Sequence, residues 1–418
     1  MKRRVFLIVS AMALLPVLLF GRSGFLLNQN IEEEKGLNKK MVSHPSKNHF
    51  FGYFGTNPWN AEKTHLLSLE TSFNDRLPNS GEKANIGLID VSTGIFQKIS
   101  DTSAWNMQQG CMFFWNPQKP SEEFYYNDIV DGKLISVLFN LKTKKKTLQT
   151  FSISGLTKDG RYAINLDYGR ISRLRKVVSY SGTMDENPDV PHPANSGVFV
   201  FDLQTGERKL VVSYKQVSDE IKRYAPEIEG RHMWIEHAEF NPDGSRLLFL
   251  PRTWNDSGNK LETGMYTIAI DGEDMREAIP YGYNVSHWSW RNNQEIVATF
   301  TLNGRHGHIL FTDGKKDFKE LPGMNWDGHC TFDQTGRYLV TDNRYDNKNI
   351  RNFLWLYDTK KDSYMKLAAF DMVENRFLSG DTRCDLHPRW SNDNKMVCVD
   401  AIDPATTTRQ LFIVNTGL

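Results

Sequence analysis

Four histidines recur at one position of a repeated pattern: His237-Ala-Glu-Phe240, His287-Trp-Ser-Trp290, His329-Cys-Thr-Phe332 and His387-Pro-Arg-Trp390. Each stands three residues before an aromatic side chain, and successive histidines are 50, 42 and 58 residues apart. The chain has only 11 histidines in 418 residues, so four in register form a pattern rather than a coincidence. Imidazole is a common metal ligand and a proton acceptor near neutral pH. The run from Arg383 to Trp390 adds a carboxylate and two guanidinium groups. Read as a strand with alternating faces, it puts Arg383, Asp385, His387 and Arg389 on one side. Asp385 and His387, with His329 from the preceding repeat, then make a two-histidine, one-carboxylate set. Such a set suits Mn, Fe, Zn or a similar ion and leaves coordination positions open for substrate. Asp327 has the parity of His329 and is expected to orient it. Arg383 and Arg389 suit a substrate carboxylate, or else a salt bridge to Asp385. The other reading of the four histidines is a locking hydrogen bond within each repeat. Their restriction to four consecutive repeats favours a site; Met112 and Ile153 take the matching places in two earlier ones.

The elements that position these residues are short. From Phe50 onward, β-rich runs alternate with turn clusters, and no long amphipathic helical pattern occurs. Seven units open with an apolar strand, a turn and a second strand, as in LTKDGRYAINL (156–166), FNPDGSRLLFL (240–250) and WSNDNKMVCVD (390–400). Later in most units comes a strand–turn–strand such as VFDLQTGERKLVV (200–212). Four strands per unit and seven units predict an all-β fold, a seven-bladed β-propeller over residues 49–418. The final unit lacks a fourth strand after FIVN (412–415), and the polar leader at 26–48 is expected to supply one. Residues 170–195 break the period and are expected to form a long rim loop. Equivalent positions on the first strands lie at one height around the channel, so the four imidazoles should face a common volume.

Lys2, Arg3 and Arg4 precede an apolar run from Val5 to Phe20, the pattern of a signal peptide or N-terminal anchor at 1–25. The rest of the chain is therefore expected outside the cytoplasm, periplasmic or extracellular. Lys and Arg number 51 against 50 Asp and Glu, so no one-signed field recruits nucleic acid or a membrane surface. The only membrane contact expected is the possible N-terminal anchor, and the protein is expected to act as a monomer. Cys111, Cys330, Cys384 and Cys398 are too few for a disulfide scaffold and read as buried small hydrophobes.

The segments GHCTFDQTGRYLVTD (328–342), SHWSW (286–290), EHAEFNPDG (236–244) and LHPRWSNDNKMVCVDAID (386–403) with QLFIV (410–414) resemble the oligogalacturonate lyases. That family consists of seven-bladed propellers that cleave short pectin fragments by β-elimination around a Mn-type cation. The likeness is dense in the second half of the chain and rests on blade pattern alone in the first. It implies a divalent cation, Mn by analogy, held by residues at His329 and His387, with His287 near the reacting sugar. A uronate-containing oligosaccharide is the implied substrate. Two positions depart from the family. Its Gln-x-x-His-x-His run reads Thr382 to His387 here, with Asp385 in place of one histidine. Its arginine base falls on or near Gly264, which leaves Arg252, His287 or His237 to act in its place. The alternative function is a non-catalytic exported propeller that binds a glycan or a protein.

Overall fold

Five tight turns share one device. The side chains of Asn60, Thr157, Asn241, Asp333 and Ser391 each accept a hydrogen bond, at 2.9–3.0 Å, from the backbone N–H five residues later. Three residues after each acceptor the backbone is left-handed, at Lys63, Gly160, Gly244, Gly336 and Asn394, with φ between 59° and 74°. Glycine reaches that region without a Cβ clash, which explains the TKDG, NPDG and DQTG endings. Each turn joins the first strand of a sheet to its second.

In this computed structural model the described residues are 39–343 and 345–418. They form seven antiparallel sheets, the blades of a propeller. The first strands are Asn48–Phe50, Phe114–Trp115, Gly155–Leu156, Trp234–Phe240, Trp288–Trp290, Cys330–Phe332 and Arg389–Trp390. Six of the sheets take their strands in sequence order, four to a blade, and the fourth blade carries an additional short strand, Leu261–Thr263. The last blade is completed from the other end of the chain. Strand Lys39–Met41 pairs with Arg409–Asn415 in the register Lys39↔Val414, Lys40↔Ile413 and Met41↔Phe412. The leader thus contributes the expected fourth strand. The core consists of aromatic and branched side chains on the sheet faces, with Trp105, Trp234 and Trp288 fully buried. Burying such large rings is a main source of the fold's stability.

Residues 170–195 are more ordered than the expected loop. Helix Tyr168–Leu174, capped by Asp167, leads into a 3-10 turn at Lys176–Val178. Arg170, fully buried, pins the insert. Its guanidinium donates to the carbonyls of Asn187, Val190 and Pro191 and pairs with Asp185 at 3.3 Å. A seven-residue helix is too short to show the apolar periodicity that reveals longer ones. The signal or anchor expected at 1–25, and residues 26–38 of the leader, lie outside the described residues. Among the described residues no helix is long and apolar enough to cross a membrane. All four cysteines are buried and free.

Candidate metal centre

The inner strands of blades four to seven bring their histidines to one channel mouth. Their rings surround Phe54, whose centroid is 6.2, 5.7, 5.0 and 6.3 Å from those of His237, His287, His329 and His387. His287 and His329 are 3.9 Å apart, centroid to centroid, and His329 and His387 are 4.2 Å apart. Phe54 belongs to a segment that follows the first strand of blade one and enters the channel. It lines two cavities, one of about 530 Å³ on the histidine side and one of about 570 Å³ on the turn side. The channel is therefore plugged, and the histidines open to one side only.

His329, Asp385 and His387 are buried, and one ligand atom from each lies within 4.8 Å of the others. Asp342 braces two of them. It accepts the backbone N–H groups of His329 at 2.7 Å and His387 at 3.0 Å, and the His329 Nδ1–H at 3.1 Å. That contact leaves His329 Nε2 as the ligand atom, the arrangement by which carboxylates orient metal-bound histidines. Asp385 accepts from Arg383 Nε at 2.7 Å and from the Tyr345 hydroxyl at 2.9 Å. Burial disfavours its charge, but Arg383 outweighs this and holds the carboxyl below its ordinary range. His387 Nδ1 is buried without a hydrogen-bond partner, its nearest carboxylate being Asp400 at 4.0 Å. Burial, His329 and Arg389 all hold this imidazole neutral, the form that ligates. A neutral buried imidazole, a braced imidazole and a carboxylate held in its charged form, with ligand atoms within 4.8 Å of one another, fit a divalent cation with open positions.

Neighbouring groups sort into distinct environments. His287 Nδ1–H donates to Asp327 at 2.8 Å, so its Nε2 carries the lone pair. Burial and His329 lower its proton affinity. His237 has both ring nitrogens engaged, Nδ1 with the Tyr53 hydroxyl at 3.0 Å and Nε2 with Glu236 at 3.3 Å. Arg252 is buried against Glu236 and lines the same cavity. Gly264 packs so closely that an added Cβ would meet Tyr281 backbone atoms at 3.1 Å. Asp327 turns to His287 rather than His329, because residues 327–329 precede the strand and do not alternate. Arg383 stays at the cavity, paired with Asp385. Arg389 does not: it is buried, bonds the Tyr53 carbonyl at 3.0 Å and Asp400 at 2.9 Å, and lines the turn-side cavity instead. The left-handed backbone at His387, φ 45°, breaks the alternation that put them on one face. Thr382 does not line the cavity, whereas Gln108 and Gln109 do.

Several groups escaped the sequence reading. Asp342 directly follows the second strand of blade six, Tyr338–Thr341, and Asp400 lies within that of blade seven, Met396–Ile402, in TGRYLVTD and NKMVCVD. Asp400 accepts the N–H groups of Phe51 and Gly52, as Asp342 does those of the histidines. Aligning second strands, not only first ones, would have exposed both. Glu239, behind Trp288 on the turn side, is pushed up to about 7 by burial. Its folded pKa lies above the unfolded one, so the stability lost to its burial appears as pH rises through that interval. Glu239→Gln is expected to stabilise the fold by about 1–3 kcal/mol at pH 8 and by little at pH 5. Melting curves at the two pH values check this.

Fold and site together define a seven-bladed β-propeller with a candidate metal centre at one end of a plugged channel. Solved structures similar to it include the oligogalacturonate lyase of Vibrio parahaemolyticus, with a TM-score of 0.63 and 15% identity over 92% of this chain and 95% of that one. An oligogalacturonate lyase in complex with manganese matches with a TM-score of 0.65 and 16% identity, over 91% and 93% of the two chains. The tricorn protease matches with a TM-score of 0.49 and 10% identity, over 87% of this chain and 33% of that one. At such identities the likeness establishes the fold, which many activities share. Neither a protein-family model nor a curated protein matches the sequence.

Proposed function

We propose that this chain is an exported, metal-dependent lyase that cleaves uronate-containing oligosaccharides by β-elimination. The observation behind this reading is that the His329–Asp385–His387 cluster and the free Nε2 of His287 face one cavity. A divalent cation, Mn by analogy with the lyase structure that contains it, would be held by His329, Asp385 and His387. When bound, it would neutralise the uronate carboxylate and make the adjacent C5 proton more acidic. His287 Nε2 takes the C5 proton as general base, while Asp327 fixes the tautomer and balances the imidazolium that forms. The electron pair moves through the carboxylate-stabilised carbanion to form the C4=C5 bond as the C4–O bond breaks. The departing oxygen takes a proton from solvent. His237, with both nitrogens occupied, serves as part of the wall. Arg252 is a cationic wall residue rather than a base, being buried against Glu236.

Incubation with a panel of uronate oligosaccharides and Mn is expected to yield an unsaturated product with ultraviolet absorbance from the conjugated alkene. No product across the panel would refute the lyase reading. The absence of an arginine at Gly264 favours the second reading, a propeller that binds a glycan without cleaving it. Binding of the same sugars without product would establish that alternative.

A further inference from the structure

Phe54 divides the channel, and the half away from the histidines has a chemistry of its own. Two residues after each clustered histidine stands a side chain of the opposite mouth: Glu239, Ser289, Thr331 and Arg389. All four line the turn-side cavity of about 570 Å³. Three of them are engaged within the protein. Ser289 Oγ accepts the Phe332 N–H at 3.1 Å, Thr331 Oγ1 donates to the Pro388 carbonyl at 3.0 Å, and Arg389 pairs with Asp400. Glu239 is only half engaged. Its Oε2 accepts the Trp288 indole N–H at 2.7 Å, whereas Oε1 has no donor and no ion-pair partner among the described residues. The Trp290 indole nitrogen and the Thr56 hydroxyl in the same wall are sealed from solvent. Glu239 is partly exposed to the cavity, and its Oε1 is not sealed in that way.

The charged and titratable groups around Glu239 leave its carboxylate unmatched. Lys158, whose charge it feels, is exposed at the rim, where solvent and salt screen it. Arg389 has its charge met by Asp400 at 2.9 Å, and Arg291 by Glu295 at 3.4 Å. Asp333 accepts the N–H groups of its own turn. Tyr53 and Cys330 stay neutral, pushed up first by burial and further by nearby carboxylates, Glu239 among them. The remaining lining is aromatic. Trp288 meets Phe54 edge to face, with centroids 5.3 Å apart, and Phe114 and Phe332 are partly exposed in the walls. Aromatic rings attract cations through their faces. An entering anion would find both guanidinium groups already paired. An entering cation would find an unpaired carboxylate among rings, and pairing would offset the burial of that charge.

We infer that the turn-side cavity is a second binding site, which takes a small organic ammonium ion on Glu239 Oε1 among the aromatic rings. The site lies across Phe54 from the histidines and stands independently of the lyase reading. Calorimetric titration of the full chain with phenethylammonium, and with its neutral counterpart 2-phenylethanol, tests it. The ammonium, an alkylammonium like that of lysine, keeps its charge between pH 5 and 8. At pH 8 it is expected to bind roughly 10- to 100-fold more tightly than the alcohol, the range of a charged hydrogen-bond pair. Glu239 ionises as pH rises through about 7, so the preference should grow over that interval. At pH 5 only about 1% of the carboxyl is ionised, and the preference should fall to near one. Glu239→Gln keeps an acceptor for the Trp288 indole but loses the charge. It should abolish the preference at both pH values and leave the affinity for the alcohol unchanged, with melting to confirm the fold. Equal affinities at pH 8, a preference that survives at pH 5 or in Glu239→Gln, or no binding of either compound would overturn the site.

Discussion

Replacing His287 with alanine is expected to lower turnover of a uronate oligosaccharide by roughly 10²- to 10⁴-fold, the usual contribution of a positioned general base. Of the four clustered imidazoles, His287 alone combines an oriented tautomer with a nitrogen left for substrate. His329 and His387 belong to the ligand cluster, and His237 is bonded at both nitrogens. The variant should keep its cation, because His287 lies outside the three-ligand set. Asp327 retains the Thr299 hydroxyl when the imidazole is removed, so the carboxylate is not left bare. Steady-state kinetics with elemental analysis of the same preparation give the answer. Unchanged turnover with metal present would place the base elsewhere, and loss of metal would make His287 a ligand.

His387→Ala is expected to weaken divalent-cation binding by more than roughly 100-fold, since loss of an orienting partner alone costs about 10- to 100-fold. The fold should survive. His387 Nδ1 has no partner to orphan, and the backbone N–H that reaches Asp342 remains. His329→Ala should have the same effect, with Asp342 still accepting two backbone N–H groups. A metal titration against a competing chelator reads the affinity. Thermal melting gives an independent measure, because a cation at about 100 times its dissociation constant stabilises the native state by about 2.7 kcal/mol. The unaltered protein should gain that increment and the variants should not. Equal metal content in all three proteins would remove these histidines from the ligand set.

The blades were legible because turn chemistry repeats: an acceptor side chain, then a left-handed residue three positions on, marks five of the first turns. The proximity of His329, Asp385 and His387 was legible because inner strands share one height around a ring. What failed was alternation outside the strands. The last inner strand begins only at Arg389, and left-handed backbone at His387 turns Arg389 toward Asp400. His237 likewise sits at a bulge with φ 58°, between Glu236 and Ala238 in the ladder. Phe54 was invisible for another reason: it comes from a departure from the repeat in blade one, so no periodic signal marks it.

The joint between Lys39–Met41 and Arg409–Asn415 has a consequence in time. The blade whose inner strand follows Asp385 and His387 is the last to be synthesised, and Lys39–Met41, the first described strand to be made, must wait for it. A growing chain can pair earlier hairpins one after another, but it cannot hold the three ligands at their final separations until both ends have met. Cation capture therefore reports ring closure. A chain truncated before residue 409 or lacking residues 39–41 would be expected to lose metal affinity while most of its blades persist, so the ion is a sensor of completed assembly as well as an instrument of chemistry.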